Sequence, residues 1–357
     1  MGAQADAPTW RQPVTMAWVA SQGIAAVGLA TGAWWRGRGL LAGFVCWDGQ
    51  WYLRAARRGY GAAPIAGRPS PWPFFPLLPE LLRLLHGAGL PAATGMVVVN
   101  HVFLFAALVG VWHLTDRHLG RSHASLAVWA LALAPMAGVF SMLYPSAVFL
   151  AASVWAFELA DRRNWVWCGA LAAVVTSARP NGIVVAAVLV VLAAARAAPP
   201  RRWREAVVTG APSAVAFGGW MLVGLVRTGN PLVFATAKTA WHEVTLVGLV
   251  RRVLTPATVD SLDVHVVLGA VAVAALALGW RRLPRSWRAL ASVSLALPAV
   301  TGLVGLGRYS AECFPVAIAA SAPLARLSTG ARRALAAGSV VAAFGCAVAM
   351  AAHGLVP

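Results

Sequence analysis

Acidic residues are scarce in this 357-residue chain: 11 Asp and Glu stand against 29 Lys and Arg, a net charge of +18. Lysine is nearly missing too, since Lys238 is the one lysine in the chain. Only 11% of the residues are charged and 60% are hydrophobic, too apolar a balance for a domain folded in water, so the solvent is a bilayer. A basic excess elsewhere points to nucleic acid. Here the arginines sit between apolar runs, where they set membrane topology, and nucleic-acid binding is discarded. The four cysteines, Cys46, Cys168, Cys313 and Cys346, make no Cys-x-x-Cys and have no His partner at metal spacing, so no metal and no cofactor is expected. No Asp-x-Asp is present, which argues against a metal-held nucleotide-sugar donor. No Gly-x-x-x-x-Gly-Lys-Ser/Thr loop is present, which leaves ATP-driven transport without an engine. Both absences favour a substrate that is already in the membrane.

What is there is a series of apolar runs able to cross about 30 Å of hydrocarbon. They lie near 13–33, 94–115, 126–141, 143–160, 165–178, 181–197, 207–227, 262–280, 289–306, 311–326 and 334–352. The expected fold is all-α, a polytopic membrane protein of about eleven transmembrane helices forming a single integral membrane domain over 1–357. The run from Pro13 to Trp35 lacks a small-residue cleavage site and reads as a retained first helix. Connectors alternate in basic content. One set holds pairs and clusters such as Arg162 with Arg163, Arg201 with Arg202 and Arg204, and Arg281 with Arg282; the short connectors opposite hold only Arg179 and Arg308. The positive-inside rule then puts the N-terminus in the cytoplasm and two long connectors, about 34–93 and 228–261, outside a cell membrane.

The first outer loop is the most unusual stretch. Trp47-Asp48-Gly49-Gln50-Trp51-Tyr52 precedes a helix-compatible segment that Gly59 can close, with Arg54, Arg57 and Arg58 on one face and Trp51, Tyr52 and Ala55 on another. That is a short amphipathic helix at the membrane surface with Asp48 at its N-terminus, where backbone N–H groups keep a carboxylate ionised. A plain reading stands beside it: Asp48 as a simple N-cap and the arginines on lipid headgroups. Pro76 and Pro79 begin a second, Leu-rich helix through His86, too short to cross. Many of the 17 tryptophans, among them Trp34, Trp35, Trp72, Trp112, Trp165 and Trp280, stand at span ends and fit interfacial belts.

Few acids on the outer side invite chemistry. Glu80 has Arg83 three residues on, Asp260 and Asp263 read as N-terminal helix charges, and Glu312 follows Arg308 by four, so those two would satisfy each other. Asp48 and Glu243 have no local cation at helical spacing. Arg179 follows a span of about fourteen residues, which covers about 21 Å, so its turn lies below the outer surface and calls for an anionic partner. Arg308, at the start of a span, opposes the helix dipole unless an anion is near. Two such cations can clamp one phosphate, or they can be satisfied by Glu312 and lipid.

Taken in order, Trp47-Asp48-Gly49-Gln50-Trp51-Tyr52-Leu53-Arg54, Arg58-Gly59-Tyr60, Phe74-Phe75-Pro76-Leu77-Leu78-Pro79, Ala178-Arg179-Pro180-Asn181-Gly182 and Gly307-Arg308-Tyr309 with Phe314-Pro315 resemble the bacterial branch of the PIG-V mannosyltransferase family. The motifs follow the family's order over most of the chain. The resemblance implies a GT-C type glycosyltransferase that takes a sugar from polyprenyl-phosphate at the outer membrane face, with a catalytic acid in the first outer loop, matched here by Asp48. It leaves open whether the acceptor is a lipid or a protein. Trp241-His242-Glu243 matches no family pattern, and His242 and Glu243 enter as candidates from their residue types alone.

The expected enzyme is a mannosyltransferase with Asp48 catalytic. Trp47, Gln50, Trp51, Tyr52, Arg54, Arg179, Asn181, His242, Glu243, Arg308 and Tyr309 would form the substrate site, and Trp47, Trp51, Tyr52 and Trp72 would stack on sugar rings. Its partners would be a polyprenyl-phosphate sugar donor, a lipid or protein acceptor and the membrane lipids. A transporter or flippase of a lipid-linked sugar uses the same arginines without needing Asp48 as a base. It calls for paired broken helices or an internal repeat, and no repeat of fixed length is present.

Overall fold

The structure, a computed structural model, describes residues 9–241 and 261–357. It is 79% helix, and no strand occurs among the described residues. The helices are α1 (Arg11–Trp35), α2 (Asp48–Arg58), α3 (Leu77–Gly87), α4 (Ala92–Leu119), α5 (Arg121–Ala132), α6 (Ser146–Asp161), α7 (Trp165–Ala178), α8 (Gly182–Arg196), α9 (Arg202–Thr228), α10 (Val233–Thr236), α11 (Ser261–Gly279), α12 (Arg285–Thr301), α13 (Leu306–Glu312), α14 (Phe314–Arg326) and α15 (Thr329–Ala351).

Each apolar run holds a helix, and the boundaries follow from residues that cannot continue one. Gly120 and Gly229 adopt positive φ at the ends of α4 and α9. Ser328 accepts the Ala331 N–H at the start of α15. Among the described residues, five helical stretches are long and apolar enough to cross a bilayer by length and composition: Arg11–Trp35, Ala92–Leu119, Pro199–Thr228, Ser261–Arg282 and Thr329–Ala351. Helices α7, α8 and α14 are apolar but shorter. The run at 126–141 is not one helix. Helix α5 stops at Ala132, Pro135 follows, and the chain re-forms only as a 3-10 turn at Ala137–Phe140.

Close approach of backbones organises the bundle. A Cβ on Gly32 of α1 would lie 2.3 Å from the Val348 carbonyl oxygen of α15, and one on Gly28 would lie 2.7 Å from the Ala347 Cβ. Small residues four apart let these two helices pack backbone to backbone. The main core joins α1, α4, α5, α6, α7, α8, α14 and α15. Where α4, α6 and α8 end together, Arg117 and Arg162 both pair with the fully buried Glu158, while Asp161 takes His118 and Arg196. Glu158 and Asp161 thus tie these helix ends into one ion network.

Two smaller cores seat the first long connector. Tyr52, Phe74, Leu78 and Leu82 pack on Met96, Leu143 and Val148, which fastens α2 and α3 to α4 and α6. Glu80 and Arg83 form the expected local pair, and Arg83 also donates to the carbonyls of Ala55 and Ala56, so α3 grips the C-terminal half of α2. Tyr60, Trp72 and Phe75 meet Trp220 of α9 and Val233 and Phe234 of α10 in a separate aromatic cluster. The two long connectors therefore meet. Trp72, Trp112 and Trp165 are buried and belong to cores, while Trp34 and Trp35 are 69% and 75% exposed, as a belt residue is.

Candidate functional site

Asp48 is the first residue of α2, and its carboxylate does not cap the helix. Its Oδ2 instead accepts from Arg308 Nη1 at 2.9 Å, across 260 residues of chain. The backbone turns into α2 through Trp47, at φ 53°, a left-handed conformation that is uncommon for a bulky residue. What holds it there is visible. Trp47 Nε1 donates to the Met350 carbonyl at 2.9 Å, and its ring stacks on His353 with centroids 4.9 Å apart. Arg38 donates to His353 Nε2 at 2.8 Å and to the Ala351 carbonyl, so the end of α15 anchors the approach to Asp48.

The next residues lock α2 from the other side. The Asp48 N–H donates to the Tyr144 hydroxyl at 3.0 Å. Tyr144 belongs to the turn before α6, where the buried Asn100 of α4 donates to the carbonyls of Met142 at 2.6 Å and Tyr144 at 3.1 Å. Gly49 permits this approach, since a Cβ there would already sit 3.3 Å from the Leu143 Cβ.

Arg308 lies in the short α13, with its guanidinium 5.4 Å from the Tyr144 ring centre and 5.5 Å from that of Tyr309. Its Nε is buried and has no partner among the described residues. One turn along α13, Glu312 pairs with Arg179, not with Arg308. Arg179 Nη1 donates to Glu312 Oε2, and Nη2 donates to Ser146 Oγ at 2.8 Å. The side chains of Arg179 and Glu312 are 7% and 2% exposed, so this is a buried pair, while those of Asp48 and Arg308 are 29% and 12% exposed. The sequence asked for an anion beside each arginine and found only Glu312. The fold supplies one acid to each and swaps the local pairing for a long-range one.

The remaining candidates divide. Asn181, Tyr309 and Glu312 share a recess with Ser153 and Ser294, about 20 Å³ and enough for a water-sized group. Glu312 Oε1 is buried without a partner among the described residues. Tyr52 is 4% exposed and packs on Phe74 and Tyr144, which leaves it no face for a sugar. Trp72 is fully buried and is equally excluded as a stacking platform. Trp51 stacks on Phe74 at 6.0 Å and carries Arg54 on its ring at 5.2 Å, and Gln50 is exposed. His242 and Glu243 lie outside the described residues. No group of three or more His, Cys, Asp or Glu is arranged to hold a metal ion among the described residues.

No family model matches the chain, and no curated protein does. Among solved structures, the apo crystal structure of the Archaeoglobus fulgidus oligosaccharyltransferase is similar with a TM-score of 0.55 at 14% identity, over 100% of this chain and 57% of that one. The same enzyme in complex with an inhibitory peptide and a dolichol-phosphate is matched at a TM-score of 0.48 and 12% identity, over 98% of this chain and 56% of that one. The fold is similar to that of a membrane glycosyltransferase. This chain spans little more than half the length of that oligosaccharyltransferase, and at such identity the likeness concerns architecture alone.

Within this oligosaccharyltransferase-like fold, several site residues carry no motif. Ser146 on Arg179, Tyr144 on Asp48, Asn100 behind Tyr144 and His265 behind Gly307 became visible only in three dimensions, while Glu312, which the sequence offers to either arginine, is given to Arg179 by the fold. The available signal for Asn100 and His265 is a lone polar residue inside an apolar run, which in a membrane calls for a polar partner.

Proposed function

We propose that the chain is a glycosyltransferase that moves mannose from a polyprenyl-phosphate donor to a lipid or protein hydroxyl at the outer face of the cell membrane. The observation that carries this reading is the Asp48–Arg308 pair: a partly exposed carboxylate at the head of an outer-loop helix, held on a buried guanidinium whose Nε–H has no partner among the described residues. The oligosaccharyltransferase-like fold and the resemblance of the motifs to the PIG-V family support it. In the reaction, the acceptor oxygen bonds to the anomeric carbon as the bond from that carbon to the phosphate oxygen breaks. The acceptor's proton passes to Asp48, and polyprenyl phosphate leaves. One displacement inverts the sugar centre. General-base help of this kind is worth about 10²–10⁴-fold.

Arg308 is the group that meets the charge growing on the departing phosphate, the electrostatic term that often dominates. Arg179 acts at one remove, since both its terminal nitrogens are engaged, and its pairing with Glu312 fixes the helix that carries Arg308. The N-terminus is cytoplasmic in this reading, and the connectors at 34–93 and 228–261 are outside.

The deciding measurement is mannose transfer from polyprenyl-phosphate-mannose in membranes holding the wild-type chain or Asp48→Asn at matched expression. Transfer that falls at least 100-fold in the variant supports the reading. Equal transfer by both removes Asp48 as the base. If the wild type transfers neither mannose nor another lipid-linked sugar but moves such lipids between leaflets, the chain is a flippase.

A further inference from the structure

The ion pair joins residues 260 positions apart, and neither partner sits on a rigid long helix. Helix α13 has seven residues, too few to be stable on its own. No side chain of its own flank caps it; Gly305 precedes it, and Gly302 before that turns at φ 132°. Something else must decide where Arg308 points.

That something is α11. A Cβ on Gly269 would lie 2.2 Å from Leu306 Cδ2, and one on Gly307 would lie 2.9 Å from Leu268 Cδ1 and 3.1 Å from His265 Nδ1, so the two helices touch without room for a methyl group. At this contact the Gly307 N–H, one of the first-turn donors that a helix leaves unsatisfied, donates to His265 Nδ1 at 3.2 Å. With Nδ1 accepting, the ring proton is on Nε2, which faces the Val356 carbonyl at 2.6 Å. His265 is fully buried and both nitrogens are used. Val356 is itself fixed by the bond from its N–H to Ser261 Oγ at 3.1 Å.

The same short segment, Met350 to Val356, supplies the carbonyl that takes Trp47 and the imidazole on which Trp47 stacks. It thus touches the residue before Asp48 directly and the residue before Arg308 through His265. We infer that His265 is a positioning residue: bridging Gly307 and Val356, it sets Arg308 in register with Asp48, so that one chain segment aligns both halves of the pair. The alignment stands on these contacts, and its consequence for turnover rests on the glycosyl-transfer reading.

The test compares full-length wild type with His265→Leu, which loses both hydrogen bonds, and His265→Asn, whose amide oxygen takes the place of Nδ1. Two readouts are needed. Hydrogen exchange followed by mass spectrometry in nanodiscs should show residues 305–310 exchanging at least tenfold faster in His265→Leu, with the middle of α11 and α14 unchanged and His265→Asn close to wild type. In the transfer assay, kcat should fall roughly 10–100-fold in His265→Leu with the donor KM within about threefold, because misplacing a reacting group by about 1 Å costs rate more than binding. His265→Asn should restore most of it. Unchanged exchange overturns the bridge. Faster exchange with an unchanged kcat overturns the positioning role. Should the wild type transfer no sugar while the exchange result holds, the transferase reading fails and the bridge stands.

Discussion

One oxygen of Asp48 rests on Arg308, and the guanidinium is the more deeply buried of the two. Arginine's planar fork matches both a carboxylate and a phosphate, whereas a lysine at 308 keeps only a point charge. If the chain transfers sugar from a lipid-phosphate donor as proposed, Arg308→Lys should retain the protein in the membrane and lose roughly tenfold or more in kcat/KM for that donor, read from initial rates. At the buried pair the stake is stability. Glu312→Gln leaves Arg179 uncompensated and should cost about 3–5 kcal/mol, measured by unfolding in detergent, while Glu312→Gln with Arg179→Met should cost less than the single change. Further out, burial and the nearby Arg38 and Arg36 hold the His353 imidazole below its ordinary value. The folded state favours the neutral ring, so its contribution is intact above about pH 6.5 and is lost as the pH falls below that. Between pH 7.5 and 5.5 the wild type should lose thermal stability that His353→Gln does not lose. At this scale the sequence was half legible. Asp48, Arg179 and Arg308 stand out as charges in an apolar chain, but which acid serves which arginine is decided by the bundle, not by spacing. Tyr52 and Trp72 look like sugar platforms in sequence because an aromatic in a loop reads the same whether its loop is exposed or folded back on itself.

At the scale of elements, the α1–α15 contact carries the most weight, because α15 leads into the segment that holds Trp47. Gly32→Val should push the helices apart and destabilise by about 1–3 kcal/mol. Gly23→Val, with nothing within 4 Å of its Cβ position, should stay within about 0.5 kcal/mol in the same thermal assay. Among the described residues five helical stretches are long and apolar enough to cross, against about eleven spans expected, but that each apolar run holds a helix was legible. The interruptions of the runs were less so. A segment that is apolar all round has no 3.6-residue period to lose, so the break after Ala132 left no trace in hydropathy, and Pro135 was the one cue.

For the whole molecule, composition alone announced the bilayer, and the alternation of arginines gave an orientation that is open to a direct check. In a Cys346→Ser background, a cysteine at Ala66 should react with a membrane-impermeant maleimide in intact cells, and one at Ser122 only after permeabilisation. Native Cys46 should stay silent, being buried with its thiol pushed up to about 12. The reverse labelling pattern would turn the protein over and place the Asp48 site in the cytoplasm. What composition did not announce is that the two long connectors share a core. Tyr60, Trp72 and Phe75 of the first connector meet Trp220 of α9 and Phe234 of the second connector because aromatic surface is cheaper to bury together than apart, and nothing in either connector names the other.

The separation of 260 positions between Asp48 and Arg308 also sets a clock. At roughly 5–20 residues per second, a ribosome adds Arg308 on the order of 13–50 s after Asp48. The Met350 carbonyl and the Val356 bridge arrive later still. Through that interval the first loop can be inserted, folded onto α4 and packed, yet Asp48 has no guanidinium and Trp47 no anchor. The pair and its anchor can form only after α13 and the segment following α15 have been made, so the centre of the bundle is the part that must wait.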